Sequence, residues 1–228
     1  MWFLNMILYF SIYSFLGWIC EVIYCSIPAK KFINRGFLKG PVCPVYGFGA
    51  MFVIYIMKWI NIKSTILVFI FGGLIASIIE FIADILLEYV FHTRLWNYSD
   101  RKFNIKGRVC LLNSTLFAVL SVILIKIVHP FVLDIVVRLS SITIIIIISS
   151  LCVILFLIDL VLTVREVINL NITLKNMNIL EEIKKELKLK NHKRFIEAFP
   201  QLEHKKYMKE LKKLKELIKE SMKNNKKV

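Results

Sequence analysis

The stretch FGGLIASIIEFIADILLEYV, Phe71 to Val90, sets Glu80, Asp84 and Glu88 inside a run that is otherwise largely apolar. Advancing about 100° per residue from Gly73 places Ser77, Glu80, Asp84 and Glu88 at about 40°, −20°, 20° and 60°. One helix face, an arc of roughly 80°, therefore carries every acid. A helix over 64–91 would be about 42 Å long against a hydrocarbon core of about 30 Å, so it overshoots or tilts. Centred, it puts Glu88 near the boundary, Asp84 a turn deeper and Glu80 on the order of 10 Å inside. A charged carboxylate facing lipid at that depth costs at least about 2.5 kcal/mol, so Glu80 is predicted to face the bundle interior, paired or neutralised. For Glu88 the plainer reading is an interfacial acid facing water. Ser11, Ser14, Trp18, Glu21 and Cys25 share a similar arc of about 80° on the first apolar run, giving two polar faces that could meet.

The rest of the chain fits a membrane. It has 228 residues, 57% of them hydrophobic, with a mean hydropathy of +0.67, too apolar for an ordinary soluble domain. A crossing helix needs about 20 residues, and apolar runs of that order lie near 3–24, 42–60, 64–91, 109–128 and 139–164. The expected fold is all-α: a polytopic membrane protein of about five transmembrane helices over 1–164, followed by a helical basic cytoplasmic tail over 165–228.

Charge orients it. Residues 25–41 hold Lys30, Lys31, Arg35 and Lys39, and residues 92–108 hold Arg94, Arg101, Lys102, Lys106 and Arg108. The alternate loops hold only Lys58 and Lys63, then Lys126 and Arg138. With an excess of Lys and Arg on the cytoplasmic side, the N-terminus is expected outside and the C-terminus in the cytoplasm. The first run lacks a basic leader and is followed by Glu21, so it is expected to stay as a span. Cys20, Cys25, Cys43, Cys110 and Cys152 make no C-x-x-C pair and read as packing residues; no metal and no cofactor is expected.

The segment NRGFLKGPVCPVYGFGA, Asn34 to Ala50, is punctuated by Gly and Pro and cannot be regular helix until near its end. Two readings stay open: a tight surface loop with Pro44 in the first turn of the next helix, or a partly re-entrant segment. The tail reads as helices near 174–190 and 201–223, interrupted at Pro200. In the second, Tyr207, Leu211, Leu214 and Ile218 recur at helical spacing with lysines on the other faces. Such a helix lies on anionic headgroups, or else pairs with protein or stands in solvent. Nucleic acid is not an expected partner.

The segments YSFLGWICEVIYCSI, KKFINRGFLKGPVCPVYGFGA, WNYSDRKFNIKGRVCL and KRFIEAFPQL together resemble the CmpB-like family of bacterial multispanning proteins named for ABC-transporter type IV. The resemblance implies a bacterial cell-membrane permease. It places Glu21, Arg35, Gly36, Gly40, Pro41, Pro44, Gly47, Trp96, Asp100, Arg101, Asn104, Gly107 and Arg108 in characteristic motifs, without assigning them roles. No G-x-x-x-x-G-K-[ST] loop occurs, so any ATPase would be a separate subunit, and five spans suggest a homo-oligomer.

The leading expectation is a permease-like protein whose Glu21, Glu80 and Asp84 line an inward-facing polar cavity, with Arg35, Asp100, Arg101, Asn104 and Arg108 as loop partners. Arginine suits carboxylates because its planar fork meets two oxygens at once. The alternative is a non-transporting scaffold or regulator that binds lipid or a soluble partner through its tail. An enzyme is not expected: no nucleophile with a base and no metal-ligand array is visible, although Glu21 and Glu80 could do acid and base chemistry if they met. Asp159 reads as an ordinary helix-end acid.

Overall fold

The computed structural model describes residues 2–139, 141–176, 192 and 194–224. Among these, α1 is Trp2–Ala29, α2 Pro44–Trp59, α3 Thr65–Phe91, α4 Leu111–Ile123, α5 His129–Arg138, α6 Ile142–Asn176 and α7 Met208–Asn224. The two-residue strands β1 Thr93–Arg94, β2 Asn104–Ile105, β3 Val109–Cys110 and β4 Glu203–His204 form two antiparallel pairs, β1 with β4 and β2 with β3. The fold is an all-α polytopic membrane bundle. Large apolar side chains such as Ile66, Leu74, Ile78, Leu86, Leu151 and Leu155 stand exposed on the outer faces of α3 and α6, where only lipid tails would suit them.

Among the described residues four helices, against the five spans expected, are long and apolar enough to cross a bilayer: Trp2–Ala29, Thr65–Phe91, Leu111–Arg138 and Ile142–Lys175. The missing one is α2, which has only 16 residues. Its shortness follows from the Gly- and Pro-rich segment before it. The Cys43 N–H donates to the Ser14 carbonyl at 2.9 Å, and Ser14 lies about 22 Å back along α1 from Ala29. The irregular segment thus descends along α1 to about its middle before α2 starts, with Pro44 in the first turn. α2 then continues to the N-terminal end of α1, where Ile54 packs with Leu8, so the segment and α2 together make one crossing beside α1 and do not return to the side they left. Polar backbone along this segment is satisfied by protein, as irregular backbone inside a membrane protein must be: the Gly36 N–H donates to Asn34 Oδ1 at 3.3 Å and the Val42 N–H to the Gly40 carbonyl at 2.9 Å.

The fourth span also runs on past its expected end at 128. Pro130 lacks an N–H and crowds the carbonyl four residues earlier, which strains a regular α-helix here. The chain absorbs it with a π turn over Leu124–Val128, where His129 N–H bonds to the Leu124 carbonyl, and the helix continues as α5. α3 and α4 approach closely where both are small. A Cβ on Gly73 would lie 2.8 Å from the Ala118 Cβ, and nearby Ser77 Oγ donates to Ser114 Oγ at 2.7 Å.

α6 continues unbroken across residues 164 and 165 to Asn176, so the helix bundle and the tail share one element. Leu211, Leu214 and Ile218 of α7 are buried with Val167, Leu170 and Leu174 of α6 and with Phe195, Phe199 and Leu202. Phe37 from the first loop and Leu95 and Trp96 from the second join the same cluster. The apolar face of the second tail helix is therefore filled by protein, while Lys209, Lys212 and Lys219 stay exposed. Of the first expected tail helix, 174–190, residues 174–176 belong to α6 and the rest lie outside the described residues.

Candidate functional site

The site begins where α3 stops. His92 takes a left-handed conformation (φ 54°) and its N–H caps the Glu88 carbonyl, so the chain turns back and β1 passes beside the last turns of α3. This brings Arg94 Nε to 3.2 Å from Asp84 Oδ2. Arg108 reaches the same acid from a second turn. Lys106 (φ 52°) and Gly107 (φ 67°) are both left-handed, and Arg108 N–H bonds the Ile105 carbonyl at 3.0 Å, closing a type I′ turn between β2 and β3. Asn104 braces the turn, its Oδ1 accepting from Gly107 N–H at 2.9 Å. Trp96 Nε1 donates to the Arg108 carbonyl at 3.0 Å.

Arg108 then spans Asp84 and Glu88, donating Nη1 to Asp84 Oδ2 and Nη2 to Glu88 Oε2. Asp84 is 0% exposed, and the Arg94 and Arg108 side chains only 17% and 16%. The network extends to Lys205 Nζ, 3.7 Å from Glu88, and to Glu203, 3.8 Å from Arg94. Acids of α3, bases of the second loop and the tail thus form one alternating set.

Glu80, one turn deeper, is held differently. It is 5% exposed, and Tyr98 Oη donates to its Oε1 at 3.1 Å, with Asn113 Nδ2 donating to Tyr98 Oη at 2.6 Å. Burial first, then the Glu80 charge, pushes the Tyr98 hydroxyl well above the ordinary phenol range, so it keeps its proton. Oε2 of Glu80 has no hydrogen-bond partner among the described residues. Glu80 lines a half-open cavity of about 270 Å³ between α1, α2, α3, α4 and the π turn, walled mainly by apolar side chains.

Of the residues expected to share a cavity, only Glu80 lines this one. Asp84 sits in the ion-pair network. Glu21 accepts from Tyr46 Oη at 2.8 Å and lies 3.8 Å from Arg35, whose guanidinium also covers the Phe199 ring at 5.5 Å. Of the expected loop partners, Arg108 meets the acids of α3 and Arg35 meets Glu21. Asn104 shapes the turn. Asp100 and Arg101 are exposed and make no ion pair among the described residues. Tyr46, Asn113 and Lys205 were not singled out from the sequence, and Arg94 entered only as loop charge.

Asp159 does more than end a helix. Its Oδ1 accepts the Lys39 N–H and its Oδ2 the Gly40 N–H, both at 2.9 Å, and Thr163 Oγ1 also accepts from Lys39 N–H at 3.2 Å. A Cβ on Gly40 would fall 2.7 Å from Asp159 Oδ2, so glycine lets the backbone come this close. Glu166, one turn beyond Thr163, pairs with Lys39 and Arg194, each at 3.3 Å.

The tail meets this end of the bundle through a histidine. Asn171 Nδ2 donates to the Phe91 carbonyl, so its Oδ1 faces His204 Nε2 at 3.2 Å and accepts its proton. His204 Nδ1 accepts the N–H groups of Lys206 and Tyr207 at 3.1 and 3.0 Å, which requires the neutral ring. Burial, with His92 and Lys206 adding and Glu210 opposing, holds its pKa below the ordinary 6.5. A base whose folded pKa is depressed gives stability that is complete above about 6.5 and lost as pH falls through the folded value. Trp96 fluorescence should therefore report loosening of the tail as pH falls below about 6.5, and His204→Gln should flatten that dependence.

Neither a curated protein nor a solved structure matches the chain. The tail motif around 193–202 lies outside the region that a family model does match. That model, of the family described as "Putative ABC-transporter type IV", matches residues 8–164, more than half of the chain, and the chain belongs to this family.

Proposed function

We propose that the chain is the permease-like membrane subunit of a transporter in a bacterial cell membrane, with its N-terminus outside and its tail in the cytoplasm. The observation that carries the reading is the cavity among four helices beside the buried Glu80. Cavities between bundle helices with a few fixed polar groups are the usual form of a solute site, and a buried acid inside a span is a functional group by default. The family description supports the transporter class. Energy would come from a separate ATPase subunit, docking at the end where both arginine-bearing loops and the tail meet.

Affinity purification of the full chain from mild detergent, with the captured subunits identified by mass spectrometry, tests this. A stoichiometric ATPase is the expected result, with ATP hydrolysis that Glu80→Gln reduces several-fold at normal membrane insertion. Capture of a signalling protein in its place would turn the reading to its alternative, a scaffold or regulator. The exposed lysines of α7 favour that alternative, since each Lys near an anionic surface contributes about 1 kcal/mol.

A further inference from the structure

The structure points to a ligand class for the α1–α4 cavity: we infer that it binds a small apolar molecule carrying an ammonium or comparable cationic head, with Glu80 as the anchor. This rests on reading the cavity as a solute site, and goes further by naming what fits.

Size comes first. At about 270 Å³ the cavity lies at or just below the usual range of about 300–1,000 Å³ for small-molecule pockets, so it suits one ring or a short chain. Its walls come next. Leu16, Val53, Phe117, Leu120 and Leu124 supply apolar surface from α1, α2, α4 and the π turn, which rewards hydrocarbon and excludes an extended polar solute. Charge decides the head group. Glu80 is the cavity's ionisable acid; its Oε1 accepts from Tyr98, while Oε2 lacks a donor. A buried carboxylate oxygen without a partner is costly; Oε2 is closed off from the cavity in this packing, so a ligand's donor meets it once the Glu80 side chain turns toward the cavity. No Lys or Arg lies within ion-pair distance of Glu80 among the described residues. The charged groups acting on it are two further acids, Glu21 of α1 and Asp84 of its own helix. Arg94 and Arg108 offset Asp84, and Arg35 stands beside Glu21. The local field therefore favours a cation over an anion. Tyr13 and Tyr46 also line the wall, and aromatic rings attract a cationic head.

The test uses the purified full chain in nanodiscs, titrated calorimetrically with 2-phenylethylamine, 2-phenylethanol and 3-phenylpropionate. Expected is saturable binding of the amine at one site per chain, weaker binding of the alcohol and none of the carboxylate. Glu80→Gln should weaken the amine at least tenfold. Leu120→Trp, which fills the cavity from α4 and leaves Glu80 in place, should abolish binding. Amine binding that survives both substitutions, or a carboxylate that binds as well as the amine, would overturn the inference. Binding is read without transport, so the two readings fail separately. Amine binding by a chain that captures no ATPase leaves the ligand class standing and removes the transporter. An ATPase whose Glu80-dependent activity ignores amines does the reverse.

Discussion

Arg108→Ala is expected to lower the unfolding free energy by about 3 kcal/mol or more, the low end of the roughly 3–5 kcal/mol that breaking a buried ion pair costs. Among the described residues, Arg108 is the only side chain that bonds both Asp84 and Glu88. Without it Asp84, at 0% exposure, keeps Arg94 alone at 3.2 Å, and Glu88 keeps Lys205 at 3.7 Å. The loss is mostly the penalty for a carboxylate left buried with half its compensation. The net attraction of the original pair is a smaller part. Removing the acid as well should therefore recover much of the stability: in Asp84→Leu with Arg108→Leu, Arg94 retains Glu203 and Glu88 retains Lys205. A double-mutant cycle on detergent-solubilised protein, read by thermal unfolding, measures the coupling. Arg108→Lys should recover only part of the loss, since a single ammonium replaces a fork that now meets two acids. If the single and double variants proved equally destabilised, the network would be ordinary surface charge, and the reading of Asp84 as a buried, paired acid would fall.

The acid face of α3 was legible because helical periodicity is local: residues at 80, 84 and 88 share a face whatever surrounds them. Which base would meet which acid was not, because that depends on where the chain reverses. Arg94 reaches Asp84 only because His92 is left-handed, a conformation that sequence assigns readily to glycine and rarely to histidine. Tyr98 and Asn113 reach Glu80 because α4 starts beside α3, an arrangement set by the contact of Gly73 with Ala118 across the helix pair. Pro44 at the start of α2 followed from its missing N–H, whereas the depth of that start rests on one bond between residues far apart, Cys43 and Ser14. The π turn before Pro130 is similar. Proline marks a local conflict, and only the packing around it decides whether the helix stops or shifts register. Asp159 was read from its position as an end residue, and its role appears only when the descending loop is seen to place two N–H groups against it.

Phe195→Ala is expected to weaken docking of the tail by about 3–5 kcal/mol, the usual cost of emptying a buried aromatic position. Phe195 is 1% exposed and joins three parts of the chain. It stands edge-on to Phe37 of the first loop at 6.4 Å and packs on Phe199 at 5.1 Å, within a cluster that includes Val167, Leu170 and Leu174 of α6 and Leu211 and Leu214 of α7. Phe37 in turn lies 5.9 Å from Phe91 at the end of α3, so the cavity left by the ring would open between the tail and the helix that carries the acids. Hydrogen exchange over 194–218, in neutral and in anionic nanodiscs, separates this from the lipid-bound tail that its lysines suggest. A tail held by protein should lose protection by a large factor in both, because the packing being lost is independent of the headgroup. A tail held by lipid would lose little in anionic discs, where its apolar face would be covered with or without Phe195. The second outcome would free the tail from the bundle, and with it the coupling of Lys205 to Glu88 through which the acids of α3 could sense what binds at this end.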